Sequence, residues 1–226
     1  GTITTLVAHG VQRLFVVAEV EEALAVRREL ASEGQPTLLV GERNGLKIAG
    51  FDRGNEPVVG NDDLPQTCIF TSSNFAYCCM AAREAPELLV GTVINATACA
   101  VLARELAEQQ DRDVALLMAG FAQDQTRLNL EDLLSCGCLV DRLGIEPAND
   151  AAKGALYAFR YVGVTGLTRQ FLATDHGRHL VKLGRQQDIL FLAEPDRLGM
   201  VAARRAVVDL PGGRAVELTA HSPVGG

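Results

Sequence analysis

Residues 38–57 read LLVGERNGLKIAGFDRGNEP: a short apolar run, then glycines alternating with charged and amide side chains almost to the end. Five of these residues are glycine or proline, which predicts irregular backbone after an opening strand. Glu42, Arg43, Lys47, Asp52, Arg53 and Glu56 carry the charge, interleaved with Asn44 and Asn55. A long polar loop placed directly after a strand is costly to order, and such loops carry function more often than stability. A solvated connection with glycines at ordinary turns accounts for the same letters.

The flanking segments repeat the strand-then-loop plan. Residues 13–17 (RLFVV), 37–40, 67–71 (TCIFT), 88–92 (LLVGT) and 114–118 (VALLM) are apolar and of strand length. Amphipathic stretches separate them at 19–32, 76–85, 96–109 and 130–143, the second stopped by Pro86, the third opened by Asn95 and the last closed by Gly144. Residues 2–9 are expected to be helical, as are 151–161 and 168–183. Residues 188–193 (DILFLA) and 200–210 read as strands, with a final hairpin through Gly212 and Gly213. Alternating strand and helix predicts an α/β fold, a three-layer sandwich in which helices cover both faces of a largely parallel or mixed sheet. No repeat, low-complexity tract or linker divides the 226 residues, so one domain is expected.

Composition narrows the function. The apolar fraction is 48% and the charged fraction 22%, ordinary globular values. No apolar run approaches the ~20 residues of a membrane span, and no leader-like segment opens the sequence. A soluble, cytoplasmic protein is expected. The net charge is −7 without a basic run, which disfavours a nucleic-acid partner but leaves room for a small anionic substrate held by local donors or a metal. The six cysteines form no CxxC pair and sit in apolar segments, the pattern of reduced core thiols. The sequence leaves a homo-oligomer open.

Ligands of open α/β sheets collect at the carboxyl ends of the strands. Four polar loops stand there: residues 41–45, then Thr71, Ser72, Ser73 and Asn74, then 92–97 with Asn95, then 119–131 leading into Glu131 and Asp132. The hydroxyls and amides can hold phosphate or sulfonate oxygens beside a helix start, and they are equally the residues that cap helices. Glu131 and Asp132 suit metal or acid–base duty, or a helix dipole, with Asn129 and Asp132 spaced as a capping box. His176 and His179 share the spacing of a helical face, yet no carboxylate completes a zinc motif. GxGxxG, GxxxxGK[ST] and GxSxG are absent, which removes the usual anchors of dehydrogenases, P-loop hydrolases and serine hydrolases.

Taken in order, LLVGERNGLKIAGFDRGNEP, IFTSSNF, VGTVINATA, AGF with LNLEDLLSCG, and DHGRHLVKLGRQQDILF resemble the 2-phosphosulfolactate phosphatase family. The resemblance covers most of the chain, and its specific parts are the GERNG and GFDRGN pair and the LED segment. It implies Mg²⁺-dependent hydrolysis of a phosphate monoester on a sulfonated hydroxy acid, a reaction of coenzyme M synthesis. In that frame Glu131, Asp132, Glu42 and Arg43 are the catalytic candidates. Asp52, Glu131 and Asp132 are the metal candidates. Thr71, Ser72, Ser73, Asn74, Asn95 and Asn55 would cradle the substrate. The resemblance also implies a first strand with an Asp-Val-x-Arg-Ala motif ahead of Thr2. The chain departs from the family at Phe75, at Glu56 within GNEP and at Met118, which keeps a second reading open: a non-catalytic small-anion-binding protein on the same scaffold.

Overall fold

The computed structural model describes residues 1–57, 63–120, 127–210 and 212–222. Helix α1 (Thr2–Ala8) precedes strand β1 (Arg13–Val16) and helix α2 (Val20–Ser32). Strand β2 (Thr37–Arg43) turns back into β3 (Leu46–Lys47), and β4 (Thr67–Thr71) leads to α3 (Phe75–Ala81). A two-residue β5 (Leu89–Val90) and a 3₁₀ turn (Val93–Asn95) lead into α4 (Ala96–Gln110). Helices α5 (Leu130–Leu143), α6 (Asp150–Val162), α7 (Leu167–Ala173), α8 (Asp175–Lys182) and α9 (Gln186–Leu192) follow. Strands β6 (Val201–Leu210) and β7 (Gly213–His221) close the series.

The strands form one seven-stranded mixed sheet in the order β3-β2-β4-β1-β7-β6-β5, so the α/β expectation holds. Its parallel part is β2, β4 and β1, with Thr67 opposite both Thr37 and Arg13. The other pairs are antiparallel: β2 with β3, β1 with β7, β7 with β6 and β6 with β5.

Alternation along the strands divides the side chains between two cores. Phe15, Leu39 and Ile69 pack with Ala23, Val26 and Leu30 of α2 on one face. Leu14, Val16, Leu38, Val40, Cys68 and Phe70 pack with Ile3, Leu6 and Val7 of α1 and Ala76 and Cys79 of α3 on the other. A third cluster joins Cys99, Leu134, Cys138, Phe159, Phe171 and Ile189 among α4, α5, α6, α7 and α9. All six cysteines are free thiols. Burial pushes Cys79, Cys99 and Cys136 up to about 12, so they stay protonated at neutral pH; Cys68, Cys79, Cys99 and Cys138 are core thiols as expected, whereas Cys78 and Cys136 are only half-buried. No helix of the described residues is long and apolar enough to cross a membrane.

The structure corrects the expected elements in four places. Residues 38–43 of the opening stretch are strand, and a tight Asn44-Gly45 turn (φ 55° and 79°) returns the chain to β3, the backbone a two-residue hairpin requires. Residues 114–118, expected as a strand, pair with no strand among the described residues, and Leu117 is 63% exposed. Residues 188–192 of the run expected as a strand are helix, part of α9: Arg185 and Asp188, three apart, form an ion pair across its first turn. The helix expected over 168–183 is broken at Thr174, whose extended backbone (ψ 162°) separates α7 from α8 while its hydroxyl accepts from Gly177 N at 2.9 Å.

Helices α5 and α6 touch through Gly137, where an added Cβ would stand 2.1 Å from the carbonyl oxygen of Ala155 and 2.7 Å from Cβ of Phe159. Gly137→Ala therefore cannot be absorbed without separating the two helices. A loss of about 3 kcal/mol is expected, at the upper end of ordinary overpacking, read as a fall in the chemical-denaturation midpoint.

Candidate active site

The carboxyl ends of β2 and β4 stand side by side, which brings the turn after β2 against the residues that open α3. Glu42 is 6% exposed there. Its Oε1 accepts from Ser73 N at 2.7 Å, and its Oε2 accepts from Gly45 N at 2.7 Å and from the Ser73 hydroxyl at 3.1 Å. Ser73 Oγ in turn accepts from Asn44 N at 3.0 Å. One buried carboxylate thus ties two strand-end loops together, and charge-assisted bonds of this kind are the strong ones.

These loops form one wall of a cavity of about 1740 Å³. Glu42, Asn44, Asn55, Ser72, Ser73 and Asn74 line it from the sheet side. Asn129, Glu131 and Asp132 line it from the start of α5, and Thr174, His176, His179 and Arg185 from the segment spanning α8 and the start of α9. Residues far apart in sequence therefore share one hollow.

The two adjacent carboxylates differ in their partners. Asp132 Oδ2 accepts from Gly120 N at 2.8 Å and from Asn129 Nδ2 at 3.4 Å. Asn129 therefore donates to the carboxylate, and its side chain makes no capping bond to the helix backbone; the capping-box spacing is not used as a capping box. Glu131 Oε1 is buried with no hydrogen-bond partner among the described residues. Burial pushes both carboxyls above the ordinary carboxylate range, and His176 nearby eases both in the opposite direction. Of the loop leading to them, residues 121–126 lie outside the described residues.

Four sequence candidates stand elsewhere. Arg43 donates to the carbonyl oxygens of Glu42 (3.0 Å) and Ala18 (2.8 Å) and to Thr71 Oγ1 (3.1 Å), while Thr71 donates to Ala18 O at 2.8 Å. Both brace the end of the sheet, and neither lines the cavity. Asp52 accepts from Leu39 N at 2.8 Å and pairs with Arg27 of α2 at 3.0 Å, on the α2 face of the sheet. Asn95 is fully buried; its Oδ1 accepts from Thr92 N and its amide donates to the carbonyls of Val90 and Met200. It is a structural knot between β5, α4 and the approach to β6. Ser72 keeps the capping role weighed for it, accepting from Ala76 N at 3.2 Å, and still reaches the cavity wall. The Phe75 ring packs edge-on against Phe70, centroids 6.2 Å apart, and both residues line the cavity.

Sequence reasoning set His176 aside, read Asn129 only as a capping-box partner of Asp132, and gave Thr174 and Arg185 no role. The signal for His176 and Arg185 lay in the polar DHGRH and GRQQD runs, which carry more charge than a buried helix would tolerate.

A magnesium site can be tested against these groups. Among the described residues no set of three or more His, Cys, Asp and Glu side chains is clustered to hold a metal alone. Mg²⁺ does not need such a set: it binds through one or two carboxylates, keeps several waters and takes phosphate oxygens of the substrate. Glu131 and Asp132, one with a buried unpartnered oxygen, fit that demand. Asp52, beside Arg27 on the other face, does not share it.

Fold and site together define an α/β protein with a carboxylate-bearing cavity at the ends of its strands. The chain belongs to the 2-phosphosulpholactate phosphatase family, whose model matches residues 1–206. It is similar to proteins named "Probable 2-phosphosulfolactate phosphatase" from several bacteria. The one from Carboxydothermus hydrogenoformans is 28% identical over 204 residues, covering 88% of this chain and 79% of that protein. The one from Gloeobacter violaceus is 30% identical over 220 residues, covering 95% and 87%. The one from Deinococcus radiodurans is 29% identical over 218 residues, covering 94% and 86%.

Proposed function

We propose that this protein is a Mg²⁺-dependent phosphatase that hydrolyses 2-phosphosulfolactate to sulfolactate and phosphate, a step toward coenzyme M. The observation that carries this is that the GERNG turn, the Ser72–Asn74 loop and the Glu131–Asp132 pair line one cavity, in a chain of that family.

Glu131 and Asp132 would hold the magnesium ion, which supplies charge neutralisation at the phosphoryl oxygens. Asn74 and Asn55 would present side-chain amides to the remaining anionic oxygens, while both donors of Ser73 are held by Glu42. Their arrangement is fixed before substrate arrives, because Glu42 already holds Ser73 and the Asn44-Gly45 turn. His176, beside the two carboxylates, gives the site a group able to hand a proton to the leaving oxygen. Glu42 acts here as a strut, because its acceptor oxygens are taken up by the loops it joins.

The test is phosphate release from 2-phosphosulfolactate with added Mg²⁺ and with EDTA. Release that requires the metal is expected. Tight binding of sulfolactate with no release at any Mg²⁺ concentration would replace the enzyme by the anion-binding reading.

A further inference from the structure

The proposed chemistry leaves unused the polar run that joins α8 to α9. Arg185 stands at that junction with its side chain only 13% exposed. Its Nε donates to Asp188 Oδ2 at 2.6 Å, and its Nη1 donates to Asn55 Oδ1 at 2.8 Å and to Gly45 O at 3.3 Å. Six residues earlier, His179 Nε2 lies 3.2 Å from Asn44 O. One helical segment therefore grips the 44–55 loop at both ends, at its tight turn and at Asn55.

The turn it grips is the one that donates to Glu42 and Ser73. Arg185 is also paired with Asp188, so it brings no unbalanced positive charge to the cavity. A planar guanidinium can serve a carboxylate and two loop acceptors at once through fixed donors, which a lysine ammonium cannot match.

We propose that Arg185 is a positioning residue. By bridging Gly45 and Asn55 to Asp188 it locks the 44–55 loop into the cavity wall, and so sets the affinity for an anionic substrate without touching the reacting phosphoryl group. The kinetic part of this rests on the phosphatase reading; the clamp itself does not.

Two variants and two readouts test it. Arg185→Gln should raise KM for 2-phosphosulfolactate about tenfold with kcat within about threefold, the pattern of lost ground-state binding. Arg185→Lys should fall between it and the wild type. Amide hydrogen exchange over residues 42–57 should rise at least about tenfold in Arg185→Gln. It should rise similarly in Asn55→Ala, which removes an acceptor while leaving the Arg185–Asp188 pair intact and guards against a general folding defect. Unchanged exchange over 42–57 in both variants overturns the clamp. A fall in kcat at constant KM overturns the positioning role and puts Arg185 among the groups that act in the transition state. If the wild type releases no phosphate, the exchange measurement still decides the clamp while the phosphatase reading fails separately.

Discussion

Glu131→Gln is expected to lower Mg²⁺-dependent phosphate release by at least about 100-fold, and Asp132→Asn to do the same, which corresponds to ~2.7 kcal/mol of lost transition-state stabilisation. A metal ion that neutralises phosphoryl charge contributes several kcal/mol, and each change withdraws one of the two carboxylates that would hold it. Both replacements keep the shape of the side chain. In Asp132→Asn the amide oxygen can still accept from Gly120 N, so a global collapse is not the expected route of loss. The contrast is with Arg43→Lys and Asp52→Asn, which alter residues outside the cavity wall and should change the rate by less than about tenfold. Initial rates across a Mg²⁺ series separate the outcomes. A Glu131→Gln enzyme within tenfold of wild type at every Mg²⁺ concentration would remove the carboxylate pair from the mechanism.

That contrast shows where sequence reasoning about the site stops. Polar residues at strand ends are visible in the letters, and Glu42, Ser73, Asn74, Glu131 and Asp132 were found that way. Which of two neighbours faces the cavity is not. Side chains along a strand point to alternate sides, so Glu42 faces the cavity whereas the adjacent Arg43 turns toward Ala18 and Thr71. Asp52 goes to the α2 face for a related reason: its carboxylate satisfies Leu39 N beside Arg27. Arg185 escaped notice because its role depends on Gly45 and Asn55, each at least 130 residues away in sequence.

The fold was legible to a similar depth. Amphipathic periodicity marked α2, α4 and α5, and β-branched or aromatic runs marked β1 and β4. Short apolar runs were ambiguous: DILFLA fits a buried strand or a helix turn equally well, and the Arg185–Asp188 pair decided for helix. VALLM has strand composition, but a strand exists only through a neighbour. Among the described residues no backbone pairs with it, although the Met118 carbonyl accepts from the Cys78 thiol at 3.8 Å. The mixed character of the sheet owes most to β6 and β7, whose hairpin brings Val216 beside Val16 and Leu218 beside Leu14. Local pattern announces the hairpin but not its place.

Saturating Mg²⁺ should raise the thermal midpoint of the wild type by about 5–10 °C and leave Glu131→Gln nearly unmoved. The shift follows from linkage: at ~100 times its dissociation constant a ligand adds about 2.7 kcal/mol, and each kcal/mol moves a domain of this size by about 2–4 °C. The pH dependence carries the same information with a definite sign. Burial holds the carboxyls of Glu131 and Asp132 above their ordinary range, so without metal the folded state favours their protonated forms. Their contribution to stability is full below the unfolded-state value of about 4, and it is lost as pH rises through the raised folded values. Metal-free protein should therefore lose stability over that window. Glu131→Gln should lose less of it, because a neutral amide replaces a buried carboxylate oxygen that has no partner. Bound Mg²⁺ should flatten the same decline by giving the ionised forms a counter-charge. Midpoints measured from pH 4 to 8, with EDTA and with Mg²⁺, read all three effects. A metal-induced shift equal in wild type and Glu131→Gln would place the ion elsewhere, and no shift in either would leave the carboxylate pair without a metal to hold.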